Sequence, residues 1–428
     1  MKGLIHKKIW WFIVVLLGIV VLAIFIAKWL RTDEPLNKTA QKFIQPDLIY
    51  RANLHQHAYF YLLGMDAKDE LDPNAIGRYR YHREWANYIQ EQGADTSTNI
   101  DQSLNQQLRH ESFSETELEL FKDLQTHLNQ SSTEFKNFVA EHQVVLQRLI
   151  NRERIPLKRL SDFIQQETYA ALVMPAQASY PDYRYLRFLQ LLSLVQIELN
   201  STQKLERYEQ QFNRILRFTD NRLSLVEKML MQNWLSQLVD LMRDEQLMVN
   251  KKIYLDTLNA EQLGLKASLQ NELMASYLMT QYLPYSKEID REHFKWLYLP
   301  QKTFNGIAQQ YEVYWMLSDT PYAQLLDQFS AIRHETESRW RLKNAIGHVL
   351  SQVGHPNFEK YLLMNHVLNN KIIAFNALNA GQIDIAGLNQ NPEGRRYFQK
   401  AGKLCVEVPF PKYKLSELNL KIDNCVRI

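Results

Sequence analysis

Apolar positions recur at intervals of three and four along most of this chain, the spacing that gathers them on one face of an α-helix. Leu118, Phe121, Leu124 and Leu128 make one such stripe. Ser114 and Glu117 precede it in the pattern of a capping box, in which serine accepts from the N3 amide and glutamate reaches back. Tyr183, Leu186, Leu189, Leu192 and Val195 make another, and Phe188, Leu191, Leu194 and Ile197 fill the remaining sides. A helix apolar nearly all round is expected to be central. After a break at Asn200-Ser201-Thr202, a stripe begins with Leu205, Tyr208, Phe212, Ile215 and Leu216. Leu223, Val226, Leu230, Trp234, Leu238 and Leu241 then predict a long amphipathic helix. The short connections make sequential helices antiparallel neighbours.

Helical patterning continues over 263–283, 309–318, 322–331 and 360–380, with no recurring signature at a fixed period of 34 to 47 residues. That argues against a regular solenoid. After Gly381 the pattern changes. Segments 395–399, 404–408 and 418–426 alternate or carry β-branched residues, punctuated by Gly394, Gly402, Pro409 and Pro411. They predict a two- or three-stranded antiparallel sheet, which needs docking on helices for stability. The expected fold is mainly α: an N-terminal transmembrane helix, an irregular antiparallel helical bundle or array, and a small C-terminal antiparallel sheet.

The first thirty residues locate the protein. Ile9 to Ala27 is a run of 19 residues without a charged or strongly polar side chain, flanked by Trp10, Trp11 and Trp29. At 1.5 Å per residue it is just long enough to cross a hydrocarbon core of about 30 Å, and indole rings favour the interface. A cleaved signal peptide has a shorter apolar core, of about 7–15 residues, and a small-residue cleavage site. Here Lys28-Trp29-Leu30-Arg31 follows instead. Lys2, Lys7 and Lys8 stand before the span with no acid among them, whereas Lys28 and Arg31 are followed by Asp33 and Glu34. The positive-inside bias then sets residues 1–8 as a cytoplasmic tail and 9–29 as the span. Residues 30–57 read as a stalk, 58–380 as a helical periplasmic domain, and 381–428 as a terminal sheet carrying a disulfide.

Composition narrows the function classes. The 428 residues are 46% hydrophobic and 23% charged, with only 13 Gly and 13 Pro. Sandwiches, barrels and glycine-looped nucleotide folds need more punctuation than that. The three lysines of the tail account for the whole formal charge of +3, so residues 9–428 are neutral. A nucleic-acid binder would carry a basic excess, and nucleic acid is not expected as a partner. Cys405 and Cys425 are the only cysteines. Two thiols with no histidine between them are poor zinc ligands, so in an oxidising compartment a disulfide is expected, worth about 3 kcal/mol in the chain-entropy model.

No motif names a reaction. His55-Gln56-His57 would share a face on a strand but diverge by about 200° on a helix, and no carboxylate follows at ligand spacing. Ser201-Thr202-Gln203-Lys204 matches S-x-x-K, yet Lys302-Thr303 is followed by Phe304 rather than glycine, and Ser318-Asp319-Thr320 only approximates S-D-N. Ser201 or Thr202 as a helix cap explains the match. Phosphate-loop, dinucleotide and nucleophile-elbow patterns are missing from the sequence. Acidic pairs such as Glu115/Glu117 and Glu335/Glu337 read as solvated faces. Neither a catalytic residue, a metal site nor a cofactor is expected.

Two segments stand out. Ala58 to Ala67, followed by Asp72 to Gly77 and Arg78-Tyr79-Arg80-Tyr81, holds two of the few glycines, Gly64 and Gly77. It reads as a core helix ended by Gly64, or as a loop whose Arg and Tyr side chains frame a groove. If extended, Arg78 and Arg80 would face one way and Tyr79 and Tyr81 the other, making these four the candidate interaction surface. The second segment is Asn391-Pro-Glu-Gly394 with Arg395-Arg396-Tyr397-Phe398, a turn launching the strands. Together with Asn344-Ala-Ile-Gly347, Tyr361 and His366, these stretches resemble parts of uncharacterised single-span inner-membrane proteins of Gram-negative proteobacteria with a helical periplasmic domain. The resemblance implies that compartment and no catalytic residues.

The sequence therefore predicts a membrane-anchored periplasmic interaction or assembly factor of the cell envelope, non-catalytic, with an envelope protein as partner. The alternatives are a module binding a lipid or a peptidoglycan-related ligand, suggested by 11% aromatic residues and 22 tyrosines, and an envelope hydrolase with a site assembled from distant positions.

Overall fold

The computed structural model describes residues 2–44, 57–91, 108, 113–174, 181–283, 298–322, 324–325, 327–328, 344–353, 358–381, 384–390, 395–407 and 425–428. His55, Glu335, Glu337, the expected Asn391–Gly394 turn, Pro409 and Pro411 lie outside them.

Helix α1 (Lys2–Arg31) carries the apolar run. Its side chains are described from Val15 onward, and the eleven large apolar ones from Val15 to Trp29 are 45–69% exposed. Among the residues whose side chains are described, which in α1 begin at Val15, no helix is long and apolar enough to cross a membrane. Residues 33–43, expected as part of a stalk, are instead bound to the domain. The Asp33 carboxylate accepts from the amides of Gln301 (2.9 Å) and Lys302 (3.0 Å). The stretch ends in α2 (Lys38–Phe43), which buries Ala40 and Phe43 completely. Asn305 ties it down, donating to Pro35 O at 3.0 Å and accepting from Asn37 N at 2.9 Å.

Helices α3 (Ala58–Leu63) and α4 (Pro73–Glu91) cross at their glycines. A Cβ on Gly64 would lie 1.9 Å from Pro73 O, and one on Gly77 would lie 1.8 Å from Phe60 O. Then come α5 (Glu115–Gln130), α6 (Ser132–Glu141), α7 (Gln143–Arg152) and α8 (Arg154–Phe163). The capping box of α5 forms as expected: Ser114 N donates to Glu117 Oε2 at 2.8 Å and Glu117 N to Ser114 Oγ at 3.3 Å. Helix α9 (Tyr183–Asn200) is central, with Leu189, Leu192, Leu194 and Val195 fully buried. Around it pack α5 to α8, α10 (Lys204–Phe218) and α11 (Leu225–Val249).

In α11 the buried set differs from the stripe read in the sequence. Leu223 precedes the helix and Val226 is 42% exposed, while Met231, Leu235, Val239 and Met242 join Trp234, Leu238 and Leu241 inside. The helix lies between α10 on one side and α16 (Phe358–Asn379) on another, so it is buried on two faces. A single stripe is the signature of one face only.

After α12 (Ala260–Leu263), helices α13 (Lys266–Tyr282), α14 (Pro300–Leu317) and α15 (Ala345–Val353) form a second layer. Here Leu269, Leu273, Phe304 and Ala308 pack with Phe43 and with Phe358, Leu362 and Leu363 of α16. The C-terminal half of α16, from Leu368 to Leu378, belongs to the main core, so this helix joins the two. Its Asn365, Asn369, Asn376 and Asn379 fall on one face. Three of them hold the backbone of an irregular stretch: Asn376 pairs with both Leu255 N (2.9 Å) and Leu255 O (2.8 Å), Asn369 accepts from Leu258 N (2.9 Å), and Asn379 donates to Ile253 O (2.6 Å). Side-chain amides thus satisfy peptide groups that no helix or sheet partner reaches.

After α17 (Ile385–Leu388), strands β1 (Tyr397–Lys400), β2 (Lys403–Val406) and β3 (Cys425–Arg427) form an antiparallel sheet in the order β1-β2-β3. Ala401 and Gly402, both at positive φ, make the two-residue hairpin turn. Cys405 and Cys425 are paired in register and joined by a disulfide, with Cα atoms 4.0 Å apart. The sheet docks on α11 and α16.

Candidate functional site

A cleft of about 430 Å³ opens between α8, α9 and α10, with Trp234 of α11 in its lining. Why it exists is visible in the sequence of its walls. Helix α10 puts Leu205, Tyr208, Phe212 and Ile215 into the core, which turns Arg207, Gln210, Gln211 and Arg214 toward the opening. The Asn200–Gln203 break lets α10 fold back at an angle that leaves the space. No aspartate or glutamate is among the sixteen lining residues, although the chain has 47 of them. The lining is five carboxamides, four hydroxyls, two guanidinium groups and an apolar base of Leu157, Leu160, Ile164, Ile197 and Trp234.

Two buried polar atoms here have no partner: the indole nitrogen of Trp234, on a side chain 1% exposed, and Gln211 Oε1. Gln211 is oriented by its other amide atom, which donates to Ser193 Oγ at 2.9 Å, and that hydroxyl donates in turn to Gln190 O at 2.7 Å. Both atoms are shut off from solvent, so they lie behind the cleft's surface rather than in its open space.

The S-x-x-K match borders this cleft and is structural. Ser201 Oγ accepts from Gln203 N at 3.2 Å, closing the turn, while Lys204 pairs with Glu198 at 2.5 Å, and Tyr208 donates to the same carboxylate at 3.0 Å.

A second cleft of about 390 Å³ opens between the α10–α11 turn and α12–α13, with Trp315 and the Lys266–Asp319 ion pair on its wall. Lys228 lies in it, 6% exposed, and donates to Glu261 O at 3.3 Å and to Gly264 O. Both partners are neutral carbonyls, and burial pushes its amine down to about 7. The unfolded amine binds its proton up to about pH 10, so between pH 7 and 10 the unfolded chain holds more protons than the folded one. Stability contributed by this group therefore rises with pH across that interval. We expect the urea midpoint to climb from pH 7 to 9, and Lys228→Met to flatten the climb; an unchanged slope in the variant would assign the dependence to other groups.

Two buried carboxylates accept hydrogen bonds from tyrosines. Glu227 Oε1 accepts from Tyr169 (2.7 Å) and Tyr183 (3.2 Å), and its Oε2 accepts from Ser224 N (2.9 Å), closing the capping box of α11. Burial raises its pKa against the lowering effect of these bonds. Glu153 accepts from Tyr185 OH (2.8 Å) and Arg152 Nε (2.8 Å). Both carboxylates are thus committed to structural hydrogen bonds within the core.

The structure brings together His366 and Arg395, far apart in sequence, beside Tyr322. The Tyr322 and His366 rings are 5.5 Å apart and the Arg395 guanidinium lies 5.8 Å above Tyr322. Burial, with Arg395 adding to it, lowers His366 to about 4. Asn344, at φ +68, ties the start of α15 to the start of α14: its Oδ1 accepts from Leu299 N at 2.7 Å, and its side chain packs against Gly347. His57 likewise caps α3, accepting from Tyr59 N at 3.2 Å. Among the described residues no group of three or more His, Cys, Asp or Glu could hold a metal ion.

The interaction surface expected at Arg78, Tyr79, Arg80 and Tyr81 needs correction. The segment is part of helix α4, not an extended loop, so residues two apart diverge by about 200° and do not pair on one side. Arg80 is fully buried, donating to Leu63 O at 2.7 Å and pairing with Asp66. Tyr81 is fully buried too, its hydroxyl donating to Val173 O at 3.1 Å. Arg78 is half-buried, and Tyr79 is exposed. Arg80 and Tyr81 hold the α3–α4 hairpin to the core.

Comparison of the chain with family models, with curated proteins and with solved structures gives no match.

Proposed function

We propose that this protein is a membrane-anchored, non-catalytic interaction or assembly factor of the cell envelope. In this reading α1 sits in the inner membrane with residues 1–8 in the cytoplasm and the helical domain in the periplasm. The observation that carries it is α1 itself. Consecutive apolar side chains from Val15 to Ile26 are exposed all round the helix. In water so large an apolar surface is unfavourable by about 25 cal/mol per Å². The apolar run in the sequence extends back to Ile9, the length a bilayer asks for. The disulfide fits an oxidising compartment.

The short junction adds a feature. Thr32 continues the last turn of α1 by donating to Lys28 O, and Asp33 already caps α14. A domain anchored in this way is held against the bilayer rather than swung on a tether.

A reporter active only outside the cytoplasm, fused after Ile428, is expected to be active, and carbonate washing is expected to leave the protein in the membrane. Activity of a cytoplasm-only reporter at that site would overturn the orientation, and release by carbonate would overturn the anchor. A second reading, a ligand-binding module, is favoured by the carboxylate-free cleft between α8, α9 and α10.

A further inference from the structure

The last turn of α11 projects from the domain. Leu247, Met248 and Val249 are 46%, 65% and 55% exposed, although Leu241 to Gln246 just before them are all buried. Successive helical residues point about 100° apart, so three in a row leave apolar surface on more than half of the circumference. A flat protein surface would cover one side of such a turn, whereas a fluid apolar medium covers every side. Asn250, at φ +51, then turns the chain, and Tyr254 follows at 60% exposure. Cations flank this tip. Lys251 and Lys252 are exposed directly beyond Asn250. Arg243, one turn before Leu247 on the same face, donates from Nε to Arg427 O at 2.7 Å, and Lys403 is the register partner of Arg427. The β1–β2 turn, with exposed Lys400, therefore stands beside the end of α11. Nearby acids are committed: Asp244 accepts from Ser132 and faces Arg427 at 3.6 Å, Glu245 pairs with Lys136, and Glu206 pairs with Lys251 at 2.9 Å. Lys252, Lys400 and Lys403 have no ion pair among the described residues, and Asp256 is an exposed acid beyond Tyr254.

We propose that the α11 tip docks on a bilayer surface carrying anionic lipid, with Leu247, Met248 and Val249 in the acyl boundary and Lys252, Lys400 and Lys403 among the phosphates. The dimensions agree: three helical residues advance about 4.5 Å, close to the depth of about 5–10 Å that interfacial segments reach. Tyrosine favours the same layer, and lysine stems run beside apolar surface while their amines stay at the headgroups. The inference goes beyond the anchor and does not rest on α1. Leu225, at the start of α11, packs with Phe43 of α2 in the second layer, and the tip lies about 36 Å further along the helix. It is a second lipid contact, well removed from α2.

The test uses the full chain in lipid nanodiscs. The disulfide leaves no free thiol, so Met248→Cys supplies the single site for an environment-sensitive NBD label. Met316→Cys, 62% exposed near the end of α14, supplies the control. Emission, and its quenching by nitroxide-bearing lipid, are read in phosphatidylcholine discs, in discs containing phosphatidylglycerol, and in phosphatidylcholine discs mixed with phosphatidylglycerol vesicles. The label at 248 is expected to shift to the blue and to be quenched with anionic lipid, while the label at 316 stays in water. A response in anionic discs alone places the tip on the bilayer that α1 enters, and a response only with added vesicles places it on a facing one; either supports the docking. Leu247→Ser combined with Val249→Ser is expected to weaken lipid binding about tenfold or more. Lys252→Gln is expected to weaken it about fivefold, and raised salt to weaken it further. Added vesicles reach the tip whether or not α1 is inserted, so failure of the anchor and failure of this docking are distinguishable. Three results would overturn the docking: a label at 248 that stays in water throughout, which leaves the tip to a partner protein; an equal response to neutral and anionic lipid; or a blue shift that follows protein concentration without lipid, which assigns the tip to a second copy of the chain.

Discussion

Gly77→Ala is expected to destabilise the protein by about 3 kcal/mol or more, the upper part of the range for overpacking a rigid core. The added methyl would sit 1.8 Å from Phe60 O and 3.0 Å from Gly64 N. Both neighbours are backbone atoms, so no side chain can swing aside. Helix α3 cannot retreat either, because Phe60, Leu62 and Leu63 behind it are buried in the main core. The two helices would have to separate, breaking the contact of Tyr81 with Val173 and of Arg80 with the end of α3. Gly306 supplies the control. It lies within α14, and a Cβ there would meet nothing within 4 Å. Gly306→Ala is therefore expected to stabilise by about 0.5–1 kcal/mol through helix propensity alone. Urea denaturation of the two variants reads the contrast, and a Gly77→Ala protein within about 0.5 kcal/mol of the parent would refute the close crossing.

That glycine pair shows what the sequence could and could not tell. Gly64 and Gly77 stand out among 13 glycines, and the end of α3 at Gly64 could be read directly. That the two glycines meet each other needs the crossing geometry, which no local pattern encodes. Helix positions were legible wherever a single face is buried, as in α5 and α10. They were misread where burial is two-sided, as at Val226 of α11. The strands of the sheet and its cysteine pairing were legible because alternation, turn residues and redox chemistry agree on them.

The candidate site was not legible. Arg207, Gln211 and Arg214 look like the ordinary solvated face of an amphipathic helix, and Trp234 looks like core. A faint signal was available: Arg207, Gln210, Gln211 and Arg214 recur at helical spacing with no acid among them. Only the fold shows that α8 and α9 leave these side chains a space to line. The error at Arg78–Tyr81 has the same root. Arginine and tyrosine are enriched at interfaces, but they also serve buried backbone that lacks partners. Arg80 does this for the end of α3.

Arg159 does it on a larger scale, and Arg159→Met is expected to cost about 3–5 kcal/mol, as when one partner of a buried charged network is removed. The side chain is 5% exposed, and its guanidinium collects five main-chain carbonyls: Ala67 O at 2.5 Å, Leu71 O at 2.8 Å, Lys68 O at 3.0 Å, Asp69 O at 3.3 Å and Met65 O at 3.4 Å. The stretch joining α3 to α4 runs outside both helices, and these bonds replace water for its carbonyls. Methionine keeps the length and apolar bulk of the stem while removing every donor. Lysine keeps the charge but offers a point rather than a fork, so Arg159→Lys is expected to recover less than half of the loss. The damage is expected to be local. Arg80 still ties Asp66 and Leu63 at one end, whereas the carbonyls from Ala67 to Leu71 lose their common donor. Amide hydrogen exchange in Arg159→Met is thus expected to accelerate over residues 66–72 well before it does in α9 or α11. Uniform acceleration across the whole domain would show that Arg159 supports the global fold instead, and unchanged exchange over 66–72 would show that the carbonyl cluster is not held by this side chain.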